Sequence, residues 1–194
     1  AIAVTENNLK AYNNLGTELL AEERFREAAE AFAAGMAIRP ENAEVNYNYG
    51  LAQLRLGELA TAEQYFRKSV ERNPGIYLAR PDLGEVLIQQ GHPDEGLEQL
   101  LEAVRLRPGQ LNLRINTANR LLEAGRSEEA IAQYREVLAL QPASASNLYN
   151  LAYALAARGQ LEEAVGFYAE SLRYAPYSVR SHNNMANALY QSGF

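Results

Sequence analysis

The sequence predicts an all-α solenoid of antiparallel helix pairs, and three observations support this prediction. Prolines recur every 34 residues, at Pro40, Pro74, Pro108, Pro142 and Pro176. Two runs with the apolar periodicity of amphipathic helices lie between successive prolines, with a short polar turn between them. Small residues recur at the same two positions of each copy. A fixed period of this length is typical of stacked helical repeats.

Each copy of the period predicts a first helix, a turn and a second helix. Counted from Leu9, the five full copies are 9–42, 43–76, 77–110, 111–144 and 145–178. Residues 179–194 form a partial copy with a first helix only. Residues 1–8 match the end of a second helix and its exit turn. We therefore expect the chain to be a segment of a longer array.

Small and large residues alternate at fixed positions of the copies, which indicates how the two helices pack. Position 8 is always small: Gly16, Gly50, Gly84, Ala118, Ala152 and Ala186. Position 20 is also small: Ala28, Ala62, Gly96, Ala130 and Ala164. Position 24 is large: Phe32, Phe66, Leu100, Tyr134 and Tyr168. We expect the small residues to let the helices approach closely, and the large ones to fill the space beside them.

The ends of the predicted helices carry recognisable signals. Short polar residues that can cap a helix N-terminus precede several first helices: Asn8, Asn42, Ser144 and Ser178. Glycines that suit a left-handed C-terminal residue follow most of them: Gly57, Gly91, Gly125, Gly159 and Gly193. The third copy is irregular because Pro81 falls where its first helix should already have formed. We expect that helix to start late, near Arg80 or Pro81.

This pattern of small, large and proline positions resembles the tetratricopeptide repeat, and the resemblance covers almost the whole chain. It implies a right-handed superhelical solenoid whose first helices line a concave groove. It also implies a non-catalytic scaffold that binds a protein or peptide in extended conformation.

Position 6 of the copies, which faces the groove in that family, is almost always asparagine. The six residues, which we call the asparagine ladder, are Asn14, Asn48, Asp82, Asn116, Asn150 and Asn184. A primary amide both donates and accepts, so a row of amides can pair with the backbone of an extended peptide. The row is similar to one in the repeat domain of O-linked N-acetylglucosamine transferases, with Asp82 departing from it. Alternatively, these amides bond one another or a neighbouring backbone.

Other positions that face the groove in the family add Tyr47, Tyr149, Tyr153 and Arg55 as candidate binding residues. Tyrosine offers a flat amphipathic contact surface, but the same side chains could instead pack within the array. The family also has a carboxylate clamp for chaperone C-termini, which requires lysine at position 5. No copy supplies that lysine, so we expect no such clamp.

The remaining features argue against several other functions. His92 and His182 are 90 residues apart and neither has a nucleophile or metal-ligand partner in the sequence, so we predict no catalytic site, metal or cofactor. Cysteine is absent. The net charge of −6, with interspersed signs, argues against nucleic acid. No apolar run is long enough to insert into a membrane.

The leading hypothesis is therefore a non-catalytic scaffold that holds an extended segment in its groove. One alternative is the substrate-recruiting arm of a larger glycosyltransferase or membrane-anchored enzyme. Another is a self-assembling module that associates end to end through apolar residues near its C-terminus, including Met185, Leu189 and Phe194.

Overall fold

The computed structural model of the protein describes residues 6–193. Within that range the chain forms eleven α-helices and no strand. In chain order they are α1 (Glu6–Ala21), α2 (Phe25–Ile38), α3 (Ala43–Arg55), α4 (Leu59–Arg72), α5 (Ala79–Gln89), α6 (Pro93–Leu106), α7 (Leu111–Glu123), α8 (Ser127–Leu140), α9 (Ala145–Ala157), α10 (Leu161–Tyr174) and α11 (Val179–Ser192). The predicted all-α class is confirmed.

The helices belong to two compact units, one ending at Arg107 and the other beginning at Pro108. In unit 1, the pairs α1–α2, α3–α4 and α5–α6 pack tightly, and α2 and α4 also contact the first helix of the next pair. In unit 2, α7–α8 and α9–α10 form pairs, and α11 packs on α10. The turns within pairs are short, so paired helices run antiparallel.

Close approach of paired helices explains the small residues at positions 8 and 20. A Cβ atom added to Gly16 would lie 2.5 Å from the ring of Phe32, and one on Gly50 would lie 2.7 Å from the ring of Phe66. Both rings are fully buried. The aromatic residue of the second helix therefore occupies the space that a side chain on the first helix would need.

The third pair packs even more closely, backbone against backbone. A Cβ atom on Gly84 would lie 2.8 Å from the carbonyl oxygen of Gly96, and one on Gly96 would lie 2.6 Å from that of Gly84. In unit 2 the same role falls to alanines: Ala118, Ala130, Ala152 and Ala164, all fully buried. Tyr134 and Tyr168 supply the large residues of that unit.

Most of the predicted helix ends are confirmed. The side chains of Asn42, Ser144 and Ser178 accept from the backbone N–H three residues later. The five glycines after first helices adopt positive φ, and Glu23 takes the same conformation, with φ 61°, where the first copy lacks a glycine.

The prediction for Asn8 is wrong, because α1 begins at Glu6 and Asn8 lies inside it. Residues 6–8 are therefore helical rather than an exit turn. The rest of the predicted tail, residues 1–5, lies outside the described residues.

The irregular third copy produces a short helix. Helix α5 begins at Ala79, one residue before the predicted start, with Pro81 in its first turn, where its missing N–H costs nothing. Residues 73–78, which would otherwise complete the turn and the helix start, are not helical.

Two glycine substitutions test the packing of the third pair. Gly84→Ala should lower the free energy of unfolding by about 1–3 kcal/mol, because its Cβ would meet a backbone oxygen that cannot move away. Gly166→Ala, in α10, is the matched control: its Cβ would meet nothing within 4 Å. Helix propensity should then raise the free energy of unfolding by about 0.5–1 kcal/mol. Urea denaturation followed by circular dichroism measures both, and equal stability of the two variants would contradict the packing described.

Candidate functional site

In unit 1 the second residue of the asparagine ladder bonds to the preceding first helix. The Asn48 side-chain amide donates to Asn13 Oδ1 at 2.8 Å, and the Asn13 amide donates to Glu44 Oε1 at 2.9 Å. Asn48 is half-buried and its own carbonyl oxygen accepts no side-chain donor in the described part of the chain. Its amide is thus partly committed to holding neighbouring helices together.

Asp82, the one acid of the ladder, is held in the same way. Its Oδ2 accepts from the Tyr47 hydroxyl at 2.9 Å. Burial raises the pKa of the Asp82 carboxyl, whereas the Tyr47 hydrogen bond and the charge of Arg55 oppose this shift. Burial also raises the pKa of Tyr47, with the Asp82 charge adding to it. The Tyr47–Asp82 pair is therefore a polar contact between consecutive first helices.

A cavity of about 590 Å³ opens beside these residues in unit 1. Tyr47, Asn48 and Glu44 of α3 line one side of it. The non-helical segment before α5 lines the other side, where the guanidinium of Arg107 lies 4.3 Å from the centroid of Tyr77. The late start of α5 therefore places a cavity next to the ladder.

The other two candidate residues of unit 1 lie apart from this cavity. Asn14 is exposed on α1 and its side chain makes no hydrogen bond among the described residues. Arg55 is exposed at the end of α3 and lines a separate cavity of about 290 Å³ with Leu20 and Phe25. The structure does not bring Arg55 together with Tyr47 and Asn48 in one cavity.

In unit 2 the three ladder residues differ in how they are bonded. The Asn184 amide donates to the Tyr149 hydroxyl at 2.8 Å. Asn150 is half-buried and Asn116 is exposed, and neither side chain makes a hydrogen bond within residues 6–193. These two amides keep their full capacity to donate and accept.

A second cavity, of about 420 Å³, brings together three of the five unit 2 candidates, but neither Asn116 nor Asn184 lines it. Tyr149, Asn150 and Tyr153 line it, with Asn119 of α7 and Arg180 of α11. The rings of Tyr149 and Tyr153 stack at 6.2 Å with an interplanar angle of 15°. The cavity therefore combines an aromatic wall with amide and guanidinium donors.

Two of the candidate tyrosines pack within their repeats, and all three line cavities. Tyr47 and Tyr149 pack inside their repeats, 5.8 Å from Phe66 and 5.7 Å from Tyr168, yet each also lines a cavity. Tyr153 is 48% exposed. Tyr47 and Tyr149 thus each contact a buried ring and also line a cavity, and ligand binding by the three tyrosines stays a prediction.

Sequence reasoning missed the bonding partners of the ladder and one cation. Asn13 and Tyr149 stand at position 5, one period plus one residue before the ladder residue that they bond. That spacing was available in the sequence. Arg180 stands at position 2 of the partial copy, which also faces the groove in the family, so the same signal could have found it.

Two other features to consider among the described residues are metal-ion sites and membrane-spanning helices. No group of three or more His, Asp or Glu side chains there is arranged to hold a metal ion. No helix within that part of the chain has the length and hydropathy required to span a bilayer.

Antiparallel helix pairs repeating every 34 residues define a class of helical-repeat proteins. Models of the tetratricopeptide repeat match residues 13–75 and 115–179, and a further one matches residues 78–102. These segments cover more than half of the chain, so the protein belongs to the tetratricopeptide repeat family. Members of this family act as protein-interaction scaffolds and are generally non-catalytic.

Two curated proteins share part of this sequence. Human tetratricopeptide repeat protein 7A is 30% identical over 80 residues, which is 41% of this chain and 9% of that protein. The type IV pilus assembly protein PilF of Pseudomonas aeruginosa is 33% identical over 88 residues, 43% of this chain and 35% of that protein. The matched segments are thus well under half the length of either relative.

Solved structures with the same fold cover most of the chain. YrrB, described as a tetratricopeptide repeat protein with an unusual peptide-binding site, has a TM-score of 0.75 and 20% identity, covering 89% of each chain. A MamA structure has a TM-score of 0.77 and 18% identity, covering 90% of this chain and 98% of that one. Pseudomonas aeruginosa PilF has a TM-score of 0.68 and 18% identity, covering 96% and 90%. At these identities the likeness establishes the fold.

The Tyr47–Asp82 contact predicts a stability change that depends on pH. Tyr47→Phe keeps the ring on Phe66 but removes the donor to a half-buried carboxylate, so the free energy of unfolding at neutral pH should fall by about 1 kcal/mol. The pKa of Asp82 should rise further. The loss should shrink in acid, where the carboxyl is protonated in both proteins. Urea denaturation of both proteins at several pH values between about 4 and 8 measures this difference in the free energy of unfolding.

Asp82→Asn is the control, because it restores the amide of the other copies. A raised carboxyl pKa means that the folded state binds the proton more tightly than the unfolded chain. The stabilisation from Asp82 is thus complete below its unfolded pKa and is lost as the pH rises through its folded pKa. Asp82→Asn should remove that dependence. If the free energy of unfolding of Asp82→Asn changed with pH as steeply as that of the wild type, Asp82 would not be the group responsible for the pH dependence.

Proposed function

We propose that the protein is a non-catalytic scaffold whose units each bind an extended peptide or protein segment along the first helices, at the asparagine ladder. The observation that carries this proposal is in unit 2, where Asn116 and Asn150 have uncommitted amides and Asn150 lines a cavity with two stacked tyrosines. Asparagine is a poorer helix former than alanine, so its recurrence on a helix face calls for a compensating role.

The two units contribute unequally to this function. In unit 1, Asn48 and Asp82 already bond to the preceding helix, so a ligand there would bind mainly through Tyr47, Glu44 and the remaining acceptor of Asn48. In unit 2, Asn116 and Asn150 make no such bond and Asn150 lines a cavity, whereas the unbonded Asn14 of unit 1 lies apart from the cavity beside Tyr47. We therefore assign the stronger backbone contacts to unit 2.

The descriptions of two similar proteins are compatible with this function. YrrB is described as having a peptide-binding site, and PilF as a pilus assembly protein. Because the matched segments are short parts of the curated relatives, the same surface can serve as the recruiting arm of a longer protein. That arm, including one attached to a glycosyltransferase or a membrane-anchored enzyme, would use the same ladder residues.

Removing the uncommitted amides tests the proposal. Peptides selected from a displayed random library on the wild-type protein are the probes. The double variant Asn116→Ala, Asn150→Ala should bind them roughly tenfold more weakly, because each amide contact contributes about 0.5–1.5 kcal/mol. Its melting temperature should hold or rise, since alanine favours the helix by about 0.5 kcal/mol per site.

Gln64→Ala is the matched control, because it removes an exposed amide from α4, a second helix. It should leave the affinity unchanged. Equal affinities of the double variant and the wild type, measured by fluorescence anisotropy, would reject the ladder as the binding surface.

Self-association of a second copy through α11 is the second candidate function. Val179 and Tyr190 are 70% and 84% exposed there, and Ala186, at the position that is buried under a second helix in the full copies, is also exposed. Of the other residues considered for this role, Met185 and Leu189 are half-buried and Phe194 lies outside the described residues. Sedimentation velocity should show a mass that rises with concentration, and Ala186→Glu should abolish the rise. A monomer at all concentrations would exclude this function.

A further inference from the structure

The cavity of unit 2 collects hydrogen-bond donors that outnumber the acceptors beside them. The Asn119 carbonyl oxygen already accepts from the Tyr134 hydroxyl, which leaves the Asn119 NH2 group to donate. The Asn150 amide makes no hydrogen bond, and the Arg180 guanidinium makes no ion pair, among residues 6–193. All three side chains line the same space. The donors in the cavity thus outnumber the acceptors, which include the carbonyl oxygen of Asn150 and the carboxylate of Glu123.

Arg180 is held in place by an aromatic ring instead of a carboxylate. Its guanidinium carbon lies 4.7 Å from the centroid of the Tyr149 ring. The one carboxylate that lines the cavity, Glu123, is already paired with Arg120 at 2.9 Å. The positive charge of Arg180 is therefore positioned and not neutralised.

The place of Arg180 in its helix argues against a purely structural role. It is the second residue of α11, whose first turn contains no acid. A cation at a helix N-terminus is opposed by the helix dipole, so arginine is an unfavourable choice there for stability. The same N-terminal dipole adds to the attraction for an anion beside Arg180.

A smaller cavity adjoins the first and shares three of its residues. This space, of about 150 Å³, is lined by Tyr149, Asn150 and Arg180, and otherwise by small residues such as Ser146, Ser178 and Ala175. Two of the three donors, Asn150 and Arg180, therefore lie where the cavities meet, and Asn119 lines the larger cavity alone. A chain bound there has room to continue on both sides of Arg180.

We propose that the segment bound by unit 2 carries an internal acidic side chain, aspartate or glutamate, whose carboxylate binds between Arg180, Asn119 and one N–H of Asn150. The second N–H and the carbonyl oxygen of Asn150 remain for the backbone of the segment. This inference rests on the proposed peptide-binding function and adds the chemistry of the ligand. Arginine and amide donors suit the two oxygens of a carboxylate. The chain terminus is disfavoured, because the space continues on both sides and position 5 of the copies in this unit holds Ile115, Tyr149 and Asn183, none of which is a cation.

Selection from a random displayed peptide library tests the proposal. Peptides enriched on the wild-type protein should align with aspartate or glutamate at one internal position. The leading peptide should bind Arg180→Gln roughly tenfold more weakly, as expected when a charged hydrogen bond is lost. Replacing its acidic residue by glutamine or asparagine should weaken binding to the wild type equally and should cause little further loss on Arg180→Gln. Higher salt should shrink the difference.

Controls separate this proposal from its alternatives. Arg173→Gln changes the net charge equally on α10, at a residue that itself lines neither cavity, and should leave binding unchanged. Arg180→Gln should melt at the same temperature as the wild type or higher, so that lost affinity cannot be attributed to unfolding. Amidation of the peptide C-terminus should have no effect.

Four results would overturn the proposal. If amidation abolished binding, the site would hold a chain terminus. If the selected peptides bound without any acidic preference, or if Arg180→Gln and Arg173→Gln weakened binding equally, the acidic subsite would be wrong while peptide binding stood. If no peptide were enriched on the wild type, the proposed peptide-binding function would fail, and the acidic subsite with it.

Discussion

The structure depends on the close approach of the two helices in each pair. A glycine or alanine at positions 8 and 20 lets a buried aromatic or leucine side chain fill the space that a larger residue would need, as in the contacts of Gly16 with Phe32 and Gly50 with Phe66. Because this packing recurs with the period, each first helix stands in the same relation to the next one in its unit. One helix pair cannot bury its apolar face alone, so stability comes from stacking within each unit.

This spacing also determines which amides are available to a ligand. Within a unit, the side chain at position 5 of one copy lies beside position 6 of the next. Where position 5 is Asn13 or Tyr149, the following ladder amide donates to it, and Tyr47 donates to the carboxylate of Asp82. Ile115 offers no polar group, and Asn150 keeps its amide free. The identity of one residue per copy thus separates structural amides from those available for binding.

Much of this could be predicted from the sequence, because it follows from local rules. Proline, glycine and small residues at fixed positions predicted the helix pairs and the late start of α5. Short polar residues predicted the caps at Asn42 and Ser144. The predicted cap at Asn8 was wrong because α1 already includes Glu6 and Asn7, so that Asn8 lies inside the helix. The periodicity could have identified Asn13 and Arg180 as groove-facing residues, but the hydrogen bond of Asn48 and the stacking of Arg180 on Tyr149 also depend on side-chain directions, which the spacing alone does not determine.

The central claim is that the amides of Asn116 and Asn150, which have no partner in the described residues, bind the backbone of an extended ligand, whereas the amide of Asn184 serves the fold. Its most direct test is a titration followed by NMR, with each side-chain NH2 resonance assigned by substitution and a library-selected peptide as the ligand. We predict that the Asn116 and Asn150 resonances shift with saturation at the same affinity, while that of Asn184, which donates to Tyr149, shifts little. Unmoved Asn116 and Asn150 resonances during saturable binding would contradict the account.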